Sequence, residues 1–390
     1  MDFSLTPEQQ ALRESVQRFC EREYQFDARR KLLSSSEGFA RAHWATFVEL
    51  GWLGAGLAEE VGGYGGSPIE SALILEQMAK ALVLEPFLSC AIIASQAIIA
   101  QASQEQRDRL IGSIIGGEII AALAHDEPGS RGLDVLVETV ARRQGNSIHL
   151  TGQKSFVLGG PSADLLLVSA RSAASDGSLR DDVSLFCVDP KASDIRRHDY
   201  RAVDGRRVSD FVFTDLRLEP DALLGEEGKA LAAIERAYDH GRIGLCAEAV
   251  GAMDAALWQT RDYLKIRKQF GTTLGSFQAL QHKMADMLIE TELARSMLYR
   301  GLAALIDDDP LQRRKIVSAV KAQIGEAAHF VTGQAIQLHG GIGVTEEYNI
   351  GHYFKRAVLI RGLYGASDSH LSRFARLSHP APASIAHSHA

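Results

Sequence analysis

The sequence has few cysteines, and they are far apart. Its 390 residues include four cysteines, none of which forms a CxxC pair, and there is no HExxH motif. These absences argue against a disulfide framework and against the common zinc sites, so no bound metal is expected. A basic excess is missing too, since 42 Lys and Arg residues stand against 49 Asp and Glu residues. We therefore expect no nucleic-acid partner held through phosphate contacts.

Long apolar runs are also missing. The stretch 91–100 is interrupted by Ser95 and Gln96 and is much shorter than the roughly 20 apolar residues that cross a bilayer. The first ten residues are acidic and polar, which is unlike a secretory signal peptide. With 46% hydrophobic and 23% charged residues, the composition is that of a folded globular protein. We expect a reduced, cytoplasmic protein without membrane association.

The spacing of apolar residues divides the chain into three parts. Residues 1–120 have helical spacing and predict an N-terminal helical domain. Residues 121–222 contain short apolar runs separated by turn residues, which predicts a β-barrel or β-sandwich. Residues 223–378 contain three long proline-poor stretches and a shorter one, which predicts a four-helix bundle. The fold class is therefore mainly α with a β insert, and residues 379–390, rich in Pro, Ala and Ser, predict a disordered tail.

The same patterns predict individual elements. Thr6, Pro7 and Gln9 predict the start of the first helix, with a capping box. Strands are predicted at 119–123, 137–141, 148–150, 154–158, 165–170, 183–188 and 211–213, and long helices at 229–266, 276–306 and 311–339. Two glycine clusters, at 62–66 and 340–343, do not follow strands. They therefore predict turns and helix caps rather than a dinucleotide-binding loop.

Taken together and in their order, the motifs of this chain resemble those of the acyl-CoA dehydrogenase family. They lie at residues 60–66, 126–129 (DEPG), 151–154 (TGQK), 267–271 (RKQFG) and 340–343 (GGIG). The resemblance implies a helical domain, a β domain and a four-helix bundle, assembled as a tetramer built from dimers. It also implies FAD as the cofactor, removal of hydrogens from Cα and Cβ of an acyl-CoA thioester, and electron-transfer flavoprotein as the electron acceptor.

In this family the FAD lies between two subunits, and the half that binds pyrophosphate and adenine resembles the family pattern here. By this resemblance Arg267 pairs with the pyrophosphate, a role that suits its permanent charge. The other residues assigned to this half by resemblance are Gln269, Phe270, Leu274, Leu280, Gln337, Gly340 and Gly341. The resemblance therefore implies an intact contribution to a neighbouring subunit's cofactor.

The half that holds the flavin ring departs from the family pattern. Most members have Thr or Ser at the positions of Asp126 and Leu158, next to the ring, whereas Phe156 keeps the usual aromatic residue. Leucine cannot form the hydrogen bond, and an ionised aspartate accepts but does not donate. We expect this half of the site to be altered.

The catalytic base that the resemblance calls for is also missing. The family glutamate corresponds to Tyr364 in one register and to Ala366 in another, and a phenol with a pKa of about 10 is a poor base near neutral pH. Some relatives place the base just before an arginine of the first bundle helix, where this chain has Gly241 and Arg242. Asp368 is the nearest carboxylate, and an N-cap of the last helix is its simpler role.

Three functional hypotheses remain open at this point. The chain is a subunit of a hetero-oligomer whose homologous partner supplies the glutamate, as in bacterial steroid side-chain and pimeloyl-CoA dehydrogenases. Alternatively, it is a self-sufficient homotetramer with a displaced base, for which Asp368 and Arg242 are weak candidates. The third hypothesis is a scaffold without redox chemistry that binds acyl-CoA or a partner. Arg242 belongs to the active region by resemblance, with a salt bridge inside the bundle as the alternative.

Overall fold

The computed structural model describes residues 4–130, 136–173, 182–307 and 309–379. Its first part is helical and consists of α1 (Pro7–Glu23), α2 (Phe26–Ser34), α3 (Arg41–Glu49), α4 (Pro68–Lys80), α5 (Ser95–Gln101) and α6 (Gln104–Ile115). A π-helix at Leu88–Ala94 leads directly into α5. Of the tail predicted to be disordered, all residues after 379 lie outside the described part of the chain.

Helices α1 and α4 begin where the sequence provides capping groups. The Gln9 backbone N–H donates to Thr6 Oγ1 at 3.2 Å, and the Gln9 side-chain oxygen accepts from the Thr6 N–H at 3.1 Å. Ser67 and Glu70 form the same reciprocal pair at α4. Capping boxes of this kind satisfy N–H groups that the first helical turn leaves without a partner. The predicted start of the first helix is confirmed.

The central part forms one sheet, with eight strands among the described residues. They are β1 (Ala121–Ala124), β2 (Val140–Gln144), β3 (Ser147–Leu158), β4 (Leu165–Ser172), β5 (Val183–Val188), β6 (Ile195–Arg201), β7 (Arg207–Leu218) and β8 (Leu223–Leu224). The strand order is β6-β7-β3-β2-β4-β5-β8, and β1 pairs in parallel with β4. Phe186, Phe211 and Phe213 lie in the separate hydrophobic core of this domain.

Strand β5 has its predicted range, but two strand predictions were wrong. The runs 148–150 and 154–158 belong to the single strand β3, because a register shift between Leu150 and Gly152 bends the strand without ending it. Strand β6 was not predicted at all. It lies at the edge of the sheet, and its exposed side chains give no apolar alternation for a sequence pattern to detect.

The last part is helical again, with α7 (Leu231–Ile266), α8 (Gln278–Ile306), α9 (Pro310–His339), α10 (Ile350–Gly362) and α11 (Ser367–Ser378). A short hairpin of β9 (Lys268–Gln269) and β10 (Thr272–Thr273) joins α7 to α8. Helix α7 packs against α4, α8 and α9, so most of its side chains are buried. The predicted fold class, mainly α with a β insert, is confirmed. Within the described ranges, no helix has the length and apolar character needed to cross a membrane.

A buried ion-pair network attaches the sheet to the helices. Arg356 of α10 donates to Asp204, in the turn between β6 and β7, at 3.0 Å, and to Glu248 of α7 at 2.8 Å. Arg206 lies 3.3 Å from Glu248 and donates to the carbonyl oxygen of Val83 at 2.7 Å. Removing one member of such a network leaves a buried charge uncompensated. These contacts therefore hold the sheet in place against α7 and α10.

Candidate active site

Tyr364 lies in the loop between α10 and α11, and three helices bind the carbonyl oxygens of that loop. Arg242 Nε of α7 and His370 Nε2 of α11 each donate to the Tyr364 carbonyl oxygen at 3.0 Å. Lys321 Nζ of α9 donates to the Gly365 carbonyl oxygen at 3.3 Å. Tyr364 has a φ of 54°, a left-handed conformation that is costly for a bulky residue. The three donors compensate this cost. We call Arg242, Lys321 and His370 the carbonyl clamp.

The Tyr364 ring is buried in an aromatic column. Its centroid is 4.5 Å from that of Tyr238, which in turn is 5.4 Å from the ring of His125. Gly241 of α7 faces the ring, since a Cβ added there would lie 3.7 Å from Tyr364 Cε2 and 2.8 Å from Ile93 Cδ1. Burial, followed by the charge of Asp126, raises the pKa of the Tyr364 phenol well above its ordinary value. This shift disfavours the phenolate, which is the form that would accept a proton.

Arg242 forms a salt bridge inside the bundle, which was one of the two roles expected for it. Its guanidinium lies 3.1 Å from Asp239 Oδ1, and Arg313 donates to the other oxygen of that carboxylate at 3.2 Å. Arg242 also binds the loop between α10 and α11, where it donates to the Tyr364 carbonyl oxygen. A buried guanidinium needs several such partners, because desolvation of an unpaired charge is expensive. Arg242 therefore supports the loop structurally, whatever chemistry takes place beside it.

The residues assigned to the adenine and pyrophosphate half come together at one end of the bundle. The ring of Tyr263, near the end of α7, stacks on His339 at the end of α9 with 4.3 Å between centroids. Arg267 follows Tyr263 by one turn and Gly340 follows His339 directly, so the stack places both chain segments at the same end of the bundle. Gly340 has a φ of 66°, and a Cβ added there would meet nothing within 4 Å. A Cβ added to Gly341 would also point into open space.

The side chains of this surface are exposed. Phe270 is 90% exposed and has a left-handed φ of 54° in the β9–β10 hairpin, where its ring centroid lies 6.2 Å from that of Phe277. Arg267, Gln269 and Gln337 are exposed, and Leu274 and Leu280 are half-buried beside them. An exposed aromatic ring next to an arginine suits an adenine and a pyrophosphate. We call eight residues the adenine-side surface: Arg267, Gln269, Phe270, Leu274, Leu280, Gln337, Gly340 and Gly341.

Models of the three domains of acyl-CoA dehydrogenases match nearly the whole chain. The N-terminal domain matches residues 6–118, the middle domain 122–216 and the C-terminal domain 228–378. The chain belongs to the acyl-CoA dehydrogenase family. The resemblance is thereby confirmed, as is the class of enzyme, an oxidoreductase acting on the CH–CH bond of an acyl-CoA.

Several relatives cover the chain from end to end. An acyl-CoA dehydrogenase fadE12 from Mycobacterium tuberculosis is 32% identical and covers 92% of each chain. An acryloyl-CoA reductase (NADH) from Anaerotignum propionicum is 30% identical and covers 96% of this chain and 95% of its own. Among solved structures, a variant of the Tcur3481-Tcur3483 steroid ACAD superposes with a TM-score of 0.84 at 28% identity, over 95% of this chain and 97% of that chain.

The expectation that Asp368 caps the last helix was wrong. The N-cap of α11 is Ala366, which provides no side-chain acceptor, and Asp368 lies in the first turn. A carboxylate there is favourable because it faces the positive end of the helix dipole. The helix begins earlier than expected because the carbonyl clamp, which the sequence did not reveal, fixes the preceding loop. The side chain of Asp368 is exposed, whereas the Tyr364 ring is buried.

Sequence reasoning also missed a buried ion pair beside Asp126. Lys154 Nζ donates to Glu127 Oε1 at 2.5 Å and to Ser169 Oγ at 2.9 Å, and Thr139 Oγ1 donates to the same Glu127 oxygen at 2.7 Å. Burial lowers the pKa of Lys154 to about 8. Burial raises the pKa of Glu127, but Lys154 and Thr139 outweigh it and hold the carboxyl below its usual value. The pair fixes the segment that carries Asp126.

The residues present fit one half of an FAD site and not the other. The exposed guanidinium of Arg267 and the open backbone at Gly340 fit the pyrophosphate side. On the ring side, Phe156 keeps a left-handed φ of 53° and donates its backbone N–H to Asp210 at 2.9 Å. The side chain of Leu158, at the end of β3, has no polar atom to offer to a flavin ring. The fit is therefore restricted to the adenine-side surface.

Proposed function

We propose that this chain is one subunit of a hetero-oligomeric, FAD-dependent acyl-CoA dehydrogenase whose homologous partner supplies the catalytic glutamate. The observation that carries the proposal is the buried, protonated phenol of Tyr364 at the family's base position. Dehydrogenation needs a group that accepts the Cα proton, and a phenol held in its neutral form does not accept one. The second family position for a base is Gly241, which has no side chain at all.

The chain's contribution to the cofactor would be the adenine-side surface. When bound, FAD supplies the acceptor for the hydride that leaves Cβ. The residues of this chain bind and orient: Arg267 would neutralise part of the pyrophosphate charge, and Phe270 would cover the adenine. Both side chains are exposed, as required of groups that serve a neighbouring subunit. A subunit that retains this surface without a base is suited to complete a partner's FAD site.

The partner and the acceptor are further parts of the proposal. The name of the similar steroid ACAD joins two proteins, Tcur3481 and Tcur3483, and this supports a pairing of two different chains here. We take a linear or steroid acyl-CoA thioester as the substrate class and electron-transfer flavoprotein as the electron acceptor. The M. tuberculosis relative is named a dehydrogenase and the A. propionicum relative a reductase. The base-dependent removal of a Cα proton is what we propose for the complex.

The test compares the lone chain with the chain co-expressed with homologous subunits encoded beside it in its own genome. For the lone chain we expect little bound FAD and no reduction of an electron-transfer dye with acyl-CoA substrates. The complex should be yellow and active, and its activity should disappear when the glutamate of the partner is replaced by glutamine. Full FAD loading and robust turnover by the lone chain would disprove the proposal.

A further inference from the structure

A polar cavity lies where helices α1 and α4 of the N-terminal part meet α7 and α10 of the bundle. Its volume of about 350 Å³ falls within the range of about 300–1,000 Å³ that is usual for small-molecule sites. None of the residues assigned to the cofactor lines it. We call it the amide cavity, because five side-chain amides are among its lining groups: Gln17, Gln25, Gln77, Gln259 and Asn349.

Gln77 of α4 is the amide that the fold itself leaves without a purpose. Its side chain is 4% exposed, yet it forms no hydrogen bond within the described part of the chain. A buried amide without a partner is costly, because folding removes its bonds to water. Gln77 lines the amide cavity, so a partner for it can enter from there. Asn349 lines the same cavity, and although it is the N-cap of α10, its side chain forms no capping bond.

The walls of the amide cavity are held by hydrogen bonds between elements. Leu82, at one wall, has a left-handed φ of 56°, and the buried Arg29 donates to its carbonyl oxygen at 2.9 Å. Tyr353 donates to the carbonyl oxygen of Lys80 at 2.5 Å and accepts from Gln259 Nε2 at 3.2 Å. Strained backbone of this kind persists where its surroundings determine it, and it clusters at binding sites. The cavity is therefore preorganised, which limits the entropy lost on binding.

The cation among the lining residues is already paired. Lys80 Nζ lies 2.8 Å from Asp254 Oδ2, so an anionic group would find no free counter-charge there. An uncharged ligand with adjacent donor and acceptor atoms would pair with the amides instead. Adenine has such an edge, because its N6 amino group lies next to the N7 acceptor and pairs bidentately with Asn or Gln. The half-buried ring of Phe26, which also lines the cavity, provides an apolar face for the base.

We infer that the amide cavity binds the adenine base of a nucleoside, with the Gln77 amide paired to the N6–N7 edge. This site is separate from the adenine-side surface, because Gln259 precedes Arg267 by two turns of α7, about 12 Å along the helix. It lies within one chain and does not depend on the proposed function. The ribose and any phosphate of the ligand would remain towards the open side of the cavity.

The test is calorimetric titration of the full-length chain with adenosine, inosine and AMP. We expect saturable binding of adenosine, and roughly tenfold weaker binding of inosine, in which an oxygen replaces the N6 donor. AMP should bind no more tightly than adenosine, since its phosphate finds no free cation. Gln77→Leu should weaken adenosine binding roughly tenfold or more without lowering thermal stability, because it removes an unpaired buried amide. Gln323→Leu is the matched control, since Gln323 of α9 has a buried unpaired oxygen outside the cavity.

Three results would overturn the inference. The first is no saturable binding of adenosine, and the second is inosine binding as tight as that of adenosine. The third is adenosine binding that Gln77→Leu leaves unchanged and Phe270→Gly removes, which would assign it to the adenine-side surface. Should Gln77→Leu not fold, Asn349→Ala decides, because its side chain forms no cap: weaker adenosine binding supports the inference, and unchanged binding refutes it. Dye reduction by the lone chain would refute the proposed function alone.

Discussion

The adenine-side surface and the aromatic column belong to the same expected active site, yet their side chains are in opposite situations. At the adenine-side surface, Phe270 is 90% exposed and Gly340 faces open space. In the column, Tyr364 and Tyr238 are buried, and the carbonyl clamp binds the backbone of the loop. The first region exposes the side chains of Arg267, Gln269 and Phe270 to solvent, whereas the polar groups of the second are bound by other parts of the same chain. Such a difference suits a subunit that contributes cofactor contacts to another chain and binds no cofactor in its own site.

The largest effect should come from the buried ion pair of Lys154 and Glu127, next to Asp126, because buried polar groups depend on each other. Lys154→Met leaves Glu127 buried without its cation, and breaking a buried pair in this way costs about 3–5 kcal/mol. We expect that loss in the free energy of unfolding of the lone chain, measured in a denaturant titration. Arg217→Met, which breaks the exposed pair with Glu219, is the control and should change stability by about 0.5 kcal/mol or less. Equal losses of stability in Lys154→Met and Arg217→Met would contradict the expected difference between a buried and an exposed ion pair.

The next largest effect is a loss of FAD affinity at the adenine-side surface, which should leave folding intact. Arg267→Gln removes a charge-assisted contact, worth about 1.5–3 kcal/mol, from the FAD of the complex. We expect FAD affinity to fall by roughly ten- to a hundredfold, with unchanged thermal unfolding of the lone chain. Lys268→Gln is the neighbouring control, since Lys268 has no assigned cofactor role. Unchanged FAD affinity of the Arg267→Gln complex would remove this surface from the cofactor site.

Phe270 provides a sharper test, because binding and stability should respond in opposite directions. Its left-handed φ and exposed ring disfavour phenylalanine in the lone chain, so Phe270→Gly should stabilise the lone chain by about 0.5–1 kcal/mol. The same variant should weaken FAD binding by the complex. Phe330→Gly is the matched control in the interior of α9, where glycine should destabilise by about 1 kcal/mol. A destabilised Phe270→Gly chain would show that the ring serves the subunit itself.

The smallest effect is expected at Asp368. Its exposed carboxylate only favours the helix dipole of α11, which is worth about 0.3–1 kcal/mol. Asp368→Asn should therefore lower the stability of the chain slightly and leave the dehydrogenase activity of the complex unchanged. Loss of Cα proton exchange in this variant would instead support the self-sufficient enzyme with a displaced base.

The sequence predicted the elements that depend on local patterns and failed where distant residues decide. The capping box at Thr6 and the strand β5 needed only neighbouring residues. The edge strand β6 has no buried face to create a pattern. The carbonyl clamp was invisible because Lys321 lies 44 residues before its acceptor at Gly365, and Arg242 lies 122 residues before Tyr364. The wrong cap at Asp368 follows from the same missing information.

The family motifs predicted the adenine-side surface more fully than the buried contacts around Tyr364 and Lys154. Arg267 and Gly340 are assigned by short motifs, and the Tyr263–His339 stack shows how the fold brings those motifs together. Lys154 and Glu127 each lie in a motif, but their pairing became apparent only in the structure. Motifs identify residues that meet a ligand, whereas the contacts that position them depend on packing between elements.

The charge of Asp126 acts on the Tyr364 phenol, and this limits what a single substitution at position 364 could achieve. A glutamate at position 364 would lie beside the carboxylate of Asp126 in a buried setting, where two like charges oppose each other's ionisation. The side chain of Leu158 would still offer no hydrogen bond to a flavin ring. A single substitution at position 364 would therefore place a carboxylate where its ionised form, the form that accepts a proton, is disfavoured.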